Sequence, residues 1–421
     1  MTKSATPAPG SNPRSALRTL IDRVGRQSLV TADQLVFSAV AFAMQAAAIP
    51  VSTGAEYGIF TLVMMVQTGQ WYIGRAIASE PMLVSRTAGD ERSRGAAGSA
   101  LALGLAVGIG SLIVGLFLDG TAQELLFIQA AASPLLGALD HARYVGYGRD
   151  RPLIALGVDG VWFGLLVAAL VTVALVDELT PTRVYLLWAA TGVLMSAVAI
   201  RLTGSPFAFG SVRRWLSDQW RLIPGFLVDA IYLAAGIYAT FGMAIWATGL
   251  NDYGLLRKAM TPITALTVLF VGIGTALLAH LAGRSAKDVV RAPALVTALA
   301  AIVCAVSALI VLVLPADLMG TLLKADWSTL EPVVLFLLVY AFLLASGQTA
   351  MVAAKASGRA WVGPRVRTIQ LICELALIAL LGTQFGVVGA ACGMALAWGV
   401  GAGIAWVGLT RHARADRAAT S

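Results

Sequence analysis

Apolar stretches alternate with short polar gaps along this chain, and twelve such stretches run from about Gln34 to about Leu409. Each approaches the ~20 residues that carry an α-helix across a ~30 Å hydrocarbon layer. A spanning helix satisfies its own backbone hydrogen bonds, so the pattern predicts an all-α integral membrane protein with 12 transmembrane helices. The gaps opposite the basic ones are hardly more than turns, as at Ser52–Glu56, Asp119–Glu124 and Gly382–Phe385. Even the longest, Pro315–Leu330, is too small for a domain. That argues against membrane enzymes that carry their chemistry on a large external loop.

Charge orients the helices. Of the 30 basic residues, 25 fall before the first stretch, after the last, or in every second gap between them. The intervening gaps hold only Arg183 and Lys324. The positive-inside rule then places both termini in the cytoplasm. Hydrophobic residues make up 58% of the chain and charged residues 12%, about half the soluble norm of roughly 25%. The net charge of +8 fits loops facing an anionic leaflet, and no nucleic-acid partner is expected. Arg outnumbers Lys 25 to 5, which points to a GC-rich bacterial genome and so to the inner membrane of a bacterium. Cys304, Cys373 and Cys392 lie in apolar stretches as small hydrophobes, without metal spacing or a disulfide framework.

The chain also echoes itself. Thr53-Gly54-Ala55-Glu56-Tyr57-Gly58 precedes the second stretch, and Thr248-Gly249-Leu250-Asn251-Asp252-Tyr253-Gly254 precedes the eighth. Gly148-Arg149 after the fourth stretch is matched by Gly358-Arg359 after the tenth. Both halves leave from the same side, so they are parallel repeats about an axis along the membrane normal. The predicted organisation is a cytoplasmic tail at 1–26 with an amphipathic helix, an N-lobe at 27–203, a linker at 204–222, a C-lobe at 223–410 and a tail at 411–421. Trp215 and Trp220 suit the linker to the membrane interface.

Glu56-Tyr57-Gly58-Ile59-Phe60 in the first hairpin resembles the multidrug/oligosaccharidyl-lipid/polysaccharide (MOP) exporter superfamily, in its O-antigen-translocase-like polysaccharide flippase branch. Asp140-His141-Ala142-Arg143-Tyr144, leading to Gly148-Arg149-Asp150-Arg151-Pro152, resembles the span 4–5 junction of those proteins. Gln384-Phe385-Gly386-Val387-Val388-Gly389-Ala390-Ala391 is similar to their opening of span 12. The resemblance implies a flippase that moves an isoprenoid-linked saccharide (an isoprenoid pyrophosphate) by alternating access. It also implies membrane lipids, a polysaccharide polymerase and glycosyltransferases as partners. A multidrug or toxin antiporter of the same fold and a non-transporting scaffold of a polysaccharide assembly complex stay open as alternatives. A major-facilitator transporter also has two six-span halves, but its loop motif G-x-x-x-D-[RK]-x-G is not met by Gly89-Asp90-Glu91-Arg92.

No Walker A pattern, G-x-S-x-G or histidine cluster occurs, so no catalytic residue, metal or cofactor is expected. What remains is charge inside the membrane, which usually faces a cavity or a partner. Gln67, Trp71 and Arg75 repeat at i+4 and share one face of span 2. Arg257, Lys258 and Thr261 sit in the outer third of span 8. These six are the substrate-cavity candidates, with snorkelling to headgroups as the alternative for the cations. Related flippases tend to carry cations in these two helices, and Arg suits pyrophosphate because its planar fork donates two parallel hydrogen bonds. Asp159, Asp229 and Glu374 are the candidates for a coupling ion, with ion pairing as the alternative for the first two. Asp33, Glu80 and Asp140 fall near the headgroups and receive no role.

Overall fold

A computed structural model describes residues 13–85, 87, 91–204, 207–281, 286–356 and 362–418. Within these, some helical side chains lie outside the described set, including those of 13–27 and of Asp229 and His280. The amphipathic character expected at 14–30 therefore falls largely outside the described side chains.

The described residues form helices and no strand. In the first half, α1 covers Pro13–Ala48, and α2 covers Gly54–Gly74 before continuing through a π-helical turn, Arg75–Ser79, into Glu80–Val84. The next four are α3 (Glu91–Gly115), α4 (Gly120–Gly148), α5 (Pro152–Val176) and α6 (Pro181–Thr203). A linker helix, Val212–Asp218, leads to the second half. There α7 spans Ile223–Thr248, α8 Leu250–Leu281, α9 Ala286–Val313 and α10 Trp327–Ala356. The helical run Val362–Ala418 breaks at Gly386, with φ 59° and ψ −141°, into α11 and α12. Only glycine takes that backbone geometry without strain. The two arms fold back so closely that a Cβ on Gly389 would lie 2.0 Å from the Leu381 carbonyl oxygen.

Nine segments among the described residues are long and apolar enough to cross a membrane, and the last of them, Val362–His412, contains both arms of this hairpin. The polar helices α2 and α8 complete the twelve. Six form each lobe. The strongest packing within each lobe joins sequence neighbours, α3 with α4 in the first and α10 with the run Val362–Ala418 in the second. Between lobes, α2 packs on α8, while α1 touches α8 and α7 touches α2. Exchanging the lobes maps the last two contacts onto each other, as a pseudo-two-fold axis running between α2 and α8 requires.

The start of α2 shows why its sequence reads as it does. The Thr53 hydroxyl accepts from the Glu56 amide at 3.2 Å, and the Glu56 carboxylate accepts from the Thr53 amide at 2.9 Å. This capping box satisfies helix donors that would otherwise have no partner. Tyr57 and Gly58 then face the other lobe.

Candidate functional site

The two Tyr-Gly echoes meet across the axis. Tyr57 Oη lies 2.7 Å from Thr261 Oγ1. Reciprocally, Tyr253 Oη lies 3.5 Å from Met65 Sδ and accepts from Thr61 Oγ1 at 3.3 Å. A Cβ on Gly254 would collide with the Gly54 carbonyl, and one on Gly58 would touch the Leu250 carbonyl oxygen at 3.0 Å. Lys258 is fully buried and donates from Nζ to the Ser52 carbonyl at the end of the first helix, 2.8 Å away. A cation suits that position, because carbonyls at a helix C-terminus lack amide partners. These contacts close the lobes together on the face opposite the basic loops. Lys258 and Thr261, expected in the substrate cavity, both take part in this seam.

Arg257, one residue before Lys258, behaves differently. Its guanidinium carbon sits 4.7 Å from the Phe241 ring centroid, and its Nη1 makes a long contact with Met260 Sδ at 4.0 Å. Its Nε is buried without a hydrogen-bond partner. No carboxylate among the described residues pairs with it. Thr261 and Thr264, farther along α8, border a cavity of about 250 Å³ whose other wall is α1, at Phe37, Ser38, Phe42 and Gln45.

The polar stripe of α2 faces α4. Gln67 is fully buried and accepts from Gln129 Nε2 of α4 at 2.8 Å; Gln129 also accepts from the Tyr185 hydroxyl. Trp71 is buried, with its Nε1 3.4 Å from the Leu136 carbonyl. Arg75 forms a two-point ion pair with Asp140, Nε to Oδ2 at 2.8 Å and Nη2 to Oδ1 at 2.6 Å. This face lies against α4, inside the N-lobe, where Trp71 borders a small cavity with Gln70, Asp140 and His141. A polar group in an apolar helix needs a partner, and the nearest ones are on the neighbouring helix.

Asp140 belongs to a larger buried network that centres on Arg143. Arg143 Nη2 donates to Asp33 at 2.8 Å, Nη1 reaches Asp140 at 3.3 Å, and Nε lies 2.8 Å from Asp159 Oδ2 as an ionic contact. The guanidinium rests 3.9 Å from the centroid of Phe37, and the Tyr147 hydroxyl donates to Asp33. Three carboxylates thus face two guanidiniums, Arg75 and Arg143. Sequence reasoning placed Arg143 among the loop cations and gave Asp33 and Asp140 no role. Both readings are corrected, since all three are buried. The i, i+3 spacing of Asp140 and Arg143 was the available signal. Asp159 takes its ion-pairing alternative. Glu80, the third acid without a role, opens the last turn of α2.

In the C-lobe, α7, α10, α11 and α12 enclose a cavity of about 220 Å³. Glu374 lies on its wall, only 5% exposed, and accepts a hydrogen bond from Gln370 Nε2 at 3.3 Å, with Thr240 also on the wall. Tyr340 and Trp398 line it with rings crossed at 87°. Tyr232, Gly236 and Thr240, placed on one face of α7 with Asp229, also border it. The side chain of Asp229 lies outside the described residues. Among those residues, no cluster of three or more metal-ligating side chains occurs.

This architecture is a two-lobed helical bundle with polar and charged side chains buried between its helices. No protein-family model and no curated protein sequence matches the chain. Solved structures do. An outward-facing multidrug resistance MATE family transporter of the MOP superfamily aligns over 93% of this chain and 96% of its own, with TM-score 0.67 and 15% identity. A MOP superfamily transporter from Pyrococcus furiosus, described as having a binding pocket of reverse polarity that suggests a different function, aligns over 93% and 96%, with TM-score 0.65 and 14% identity. The lipid II flippase MurJ, inward closed, aligns over 94% and 87%, with TM-score 0.64 and 12% identity. The chain has the fold of the MOP superfamily transporters, twelve helices in two lobes.

Proposed function

We propose that this protein is a flippase of the bacterial inner membrane that carries an isoprenoid-linked saccharide across the bilayer, with both termini in the cytoplasm. The observation that carries the reading is Arg257. It is an intramembrane guanidinium with no described carboxylate partner, beside Phe241 and on the inter-lobe helix α8. Arg257 is only partly buried, so its guanidinium is open to an anion, and a cation inside the membrane usually faces a cavity or a partner. A lipid pyrophosphate supplies the missing anion. The cavity between α1 and α8 gives the isoprenoid tail a place at the membrane-facing side while the head enters between the lobes. Thr261 supplies a polar contact one turn along.

Glu374 is the coupling-ion candidate of this reading. Its carboxylate lies on a cavity in the lobe that Arg257 borders, with the hydroxyl and amide of Thr240 and Gln370 as further ligands. Asp229, on the same helix as Thr240, would join it. Asp159 is committed to Arg143 and serves the N-lobe instead. A polysaccharide polymerase and glycosyltransferases are the enzymes that would make and consume such a substrate.

Glu374 beside Tyr340 and Trp398 also favours a second reading, export of organic cations, because acid and aromatic faces attract positive charge. Gene deletion separates the two. Loss of a surface glycan with accumulation of lipid-linked saccharide on the inner leaflet supports the flippase. Sensitivity to cationic dyes with normal lipid-linked saccharide supports the antiporter.

A further inference from the structure

Trp215 and Trp220 both suit the segment between the lobes to the membrane interface, yet the two tryptophans do different work. Trp215 is buried, and its indole Nε1 donates to the Ile77 carbonyl of α2 at 3.0 Å. That carbonyl belongs to the π-helical turn Arg75–Ser79, where the Glu80 amide bonds to Arg75 O. The cause of the turn lies four residues beyond Ile77. Pro81 has no N–H to give that carbonyl, and its ring pushes against it. Trp215 supplies the donor that Pro81 lacks. The linker is further tied to α3 by the Ala208 amide, which donates to Arg94 O at 3.1 Å. It is therefore fixed to the N-lobe at the basic end of α2, next to the Arg75–Asp140 pair.

The outer side of the same segment is bare. Arg213, Arg214, Arg221, Phe207, Phe209, Leu216 and Trp220 are all exposed, Trp220 by 71%. The stretch 207–221 carries one acid, Asp218. Arginines interleaved with aromatic rings at the level where α3 and α6 meet the loops match a phosphate-rich headgroup layer. The guanidiniums take phosphate oxygens two at a time, while Trp and Phe sit among glycerol and upper acyl carbons. A purely aqueous loop has no reason to expose two Phe, a Leu and a Trp beside three Arg.

We propose that the linker is a binding surface for anionic phospholipid headgroups of the leaflet at the basic face, and that Trp215 transmits its occupancy to the π-helical break in α2. A bound headgroup holds the linker down on the membrane. The indole then holds Ile77, and with it the turn that aims Arg75 at Asp140. The proposal does not depend on what the protein transports.

The test uses the full-length protein in phosphatidylcholine nanodiscs with and without phosphatidylglycerol. Native mass spectrometry counts retained phosphatidylglycerol, and hydrogen exchange follows residues 80–85. The wild type should retain phosphatidylglycerol in preference to phosphatidylcholine and should exchange more slowly over 80–85 in its presence. Each of Arg213→Gln, Arg214→Gln and Arg221→Gln should weaken the retention roughly five-fold. Trp215→Phe should keep the lipid and lose the response at 80–85. Unchanged retention in the single and triple arginine variants would overturn the binding surface. Equal exchange over 80–85 in both lipids for the wild type would overturn the transmission.

Discussion

Gly254 and Gly54 touch backbone to backbone across the lobe boundary: a Cβ on Gly254 would lie 1.6 Å from the Gly54 carbonyl oxygen. No side chain can enter that gap without separating α2 from α8. Gly254→Ala should therefore open the seam on the face opposite the basic loops, at a cost of at least about 1–3 kcal/mol to the closed state. Gly58→Ala should do the same more mildly, since its new Cβ meets the Leu250 carbonyl oxygen at 3.0 Å. Thiol labelling of a cysteine at Asn251 reports the opening. Unchanged labelling in Gly254→Ala would show that the seam is looser than these distances require.

Lys258→Met removes the other fastening of that seam, the hydrogen bond from Nζ to Ser52 O. The side chain keeps its length and loses its donor. Its loss leaves a carbonyl unpaired, a penalty of about 1–3 kcal/mol. Labelling at Asn251 should rise here too. Because Lys258 and Gly254 are one helical turn apart, the double variant should gain less than the sum of the two.

Much of this is legible in the residues. The apolar stretches predict twelve helices, and the Tyr57 and Tyr253 echoes mark α2 and α8 as counterparts, while their facing each other is seen only in the packing. The direction of a polar stripe was not legible. Spacing at i+4 says that Gln67, Trp71 and Arg75 share a face, but not which neighbour that face meets. Only packing reveals α4 there, with Gln129 and Asp140 in place. Arg143 hid for a related reason. A cation six residues before Arg149 counts as part of a loop cluster by sequence, whereas the helix carries on to Gly148 and turns Arg143 inward. Burying it depends on Asp33 and Asp159, which are 110 and 16 positions away in the chain. Trp215 and Pro81 are likewise linked only through the Ile77 carbonyl.

Topology is tested by labelling in a variant without Cys304, Cys373 and Cys392. A cysteine at Arg149 should react only from the cytoplasm, and cysteines at Gly120, Asn251 or Thr383 only from outside. The motive is the split of 25 basic residues against two between alternate gaps. Opposite sidedness in one half alone would break the parallel-repeat arrangement.

Arg75 and Arg257 make the sharpest contrast, because both are intramembrane arginines on inter-lobe helices. Arg75 is only 16% exposed in its side chain and is held by Asp140 at two points. Removing one partner of such a pair leaves a charge uncompensated, so Arg75→Ala should lose about 3–5 kcal/mol of stability. Replacing both partners by apolar residues, as in Arg75→Met with Asp140→Leu, should recover much of that loss. Arg257 has no described carboxylate to abandon. Arg257→Ala should cost on the order of 1 kcal/mol, the worth of its contact with the Phe241 ring. Thermal unfolding of the purified variants measures both. Transport should rank them the other way. Arg257→Ala should abolish flipping of lipid-linked saccharide at normal protein levels, and Arg257→Lys should restore it only in part, since a point charge lacks the two-pronged fork that grips pyrophosphate. Full transport by a stable Arg257→Ala protein would remove Arg257 from the substrate path and, with it, the main support for a pyrophosphate substrate.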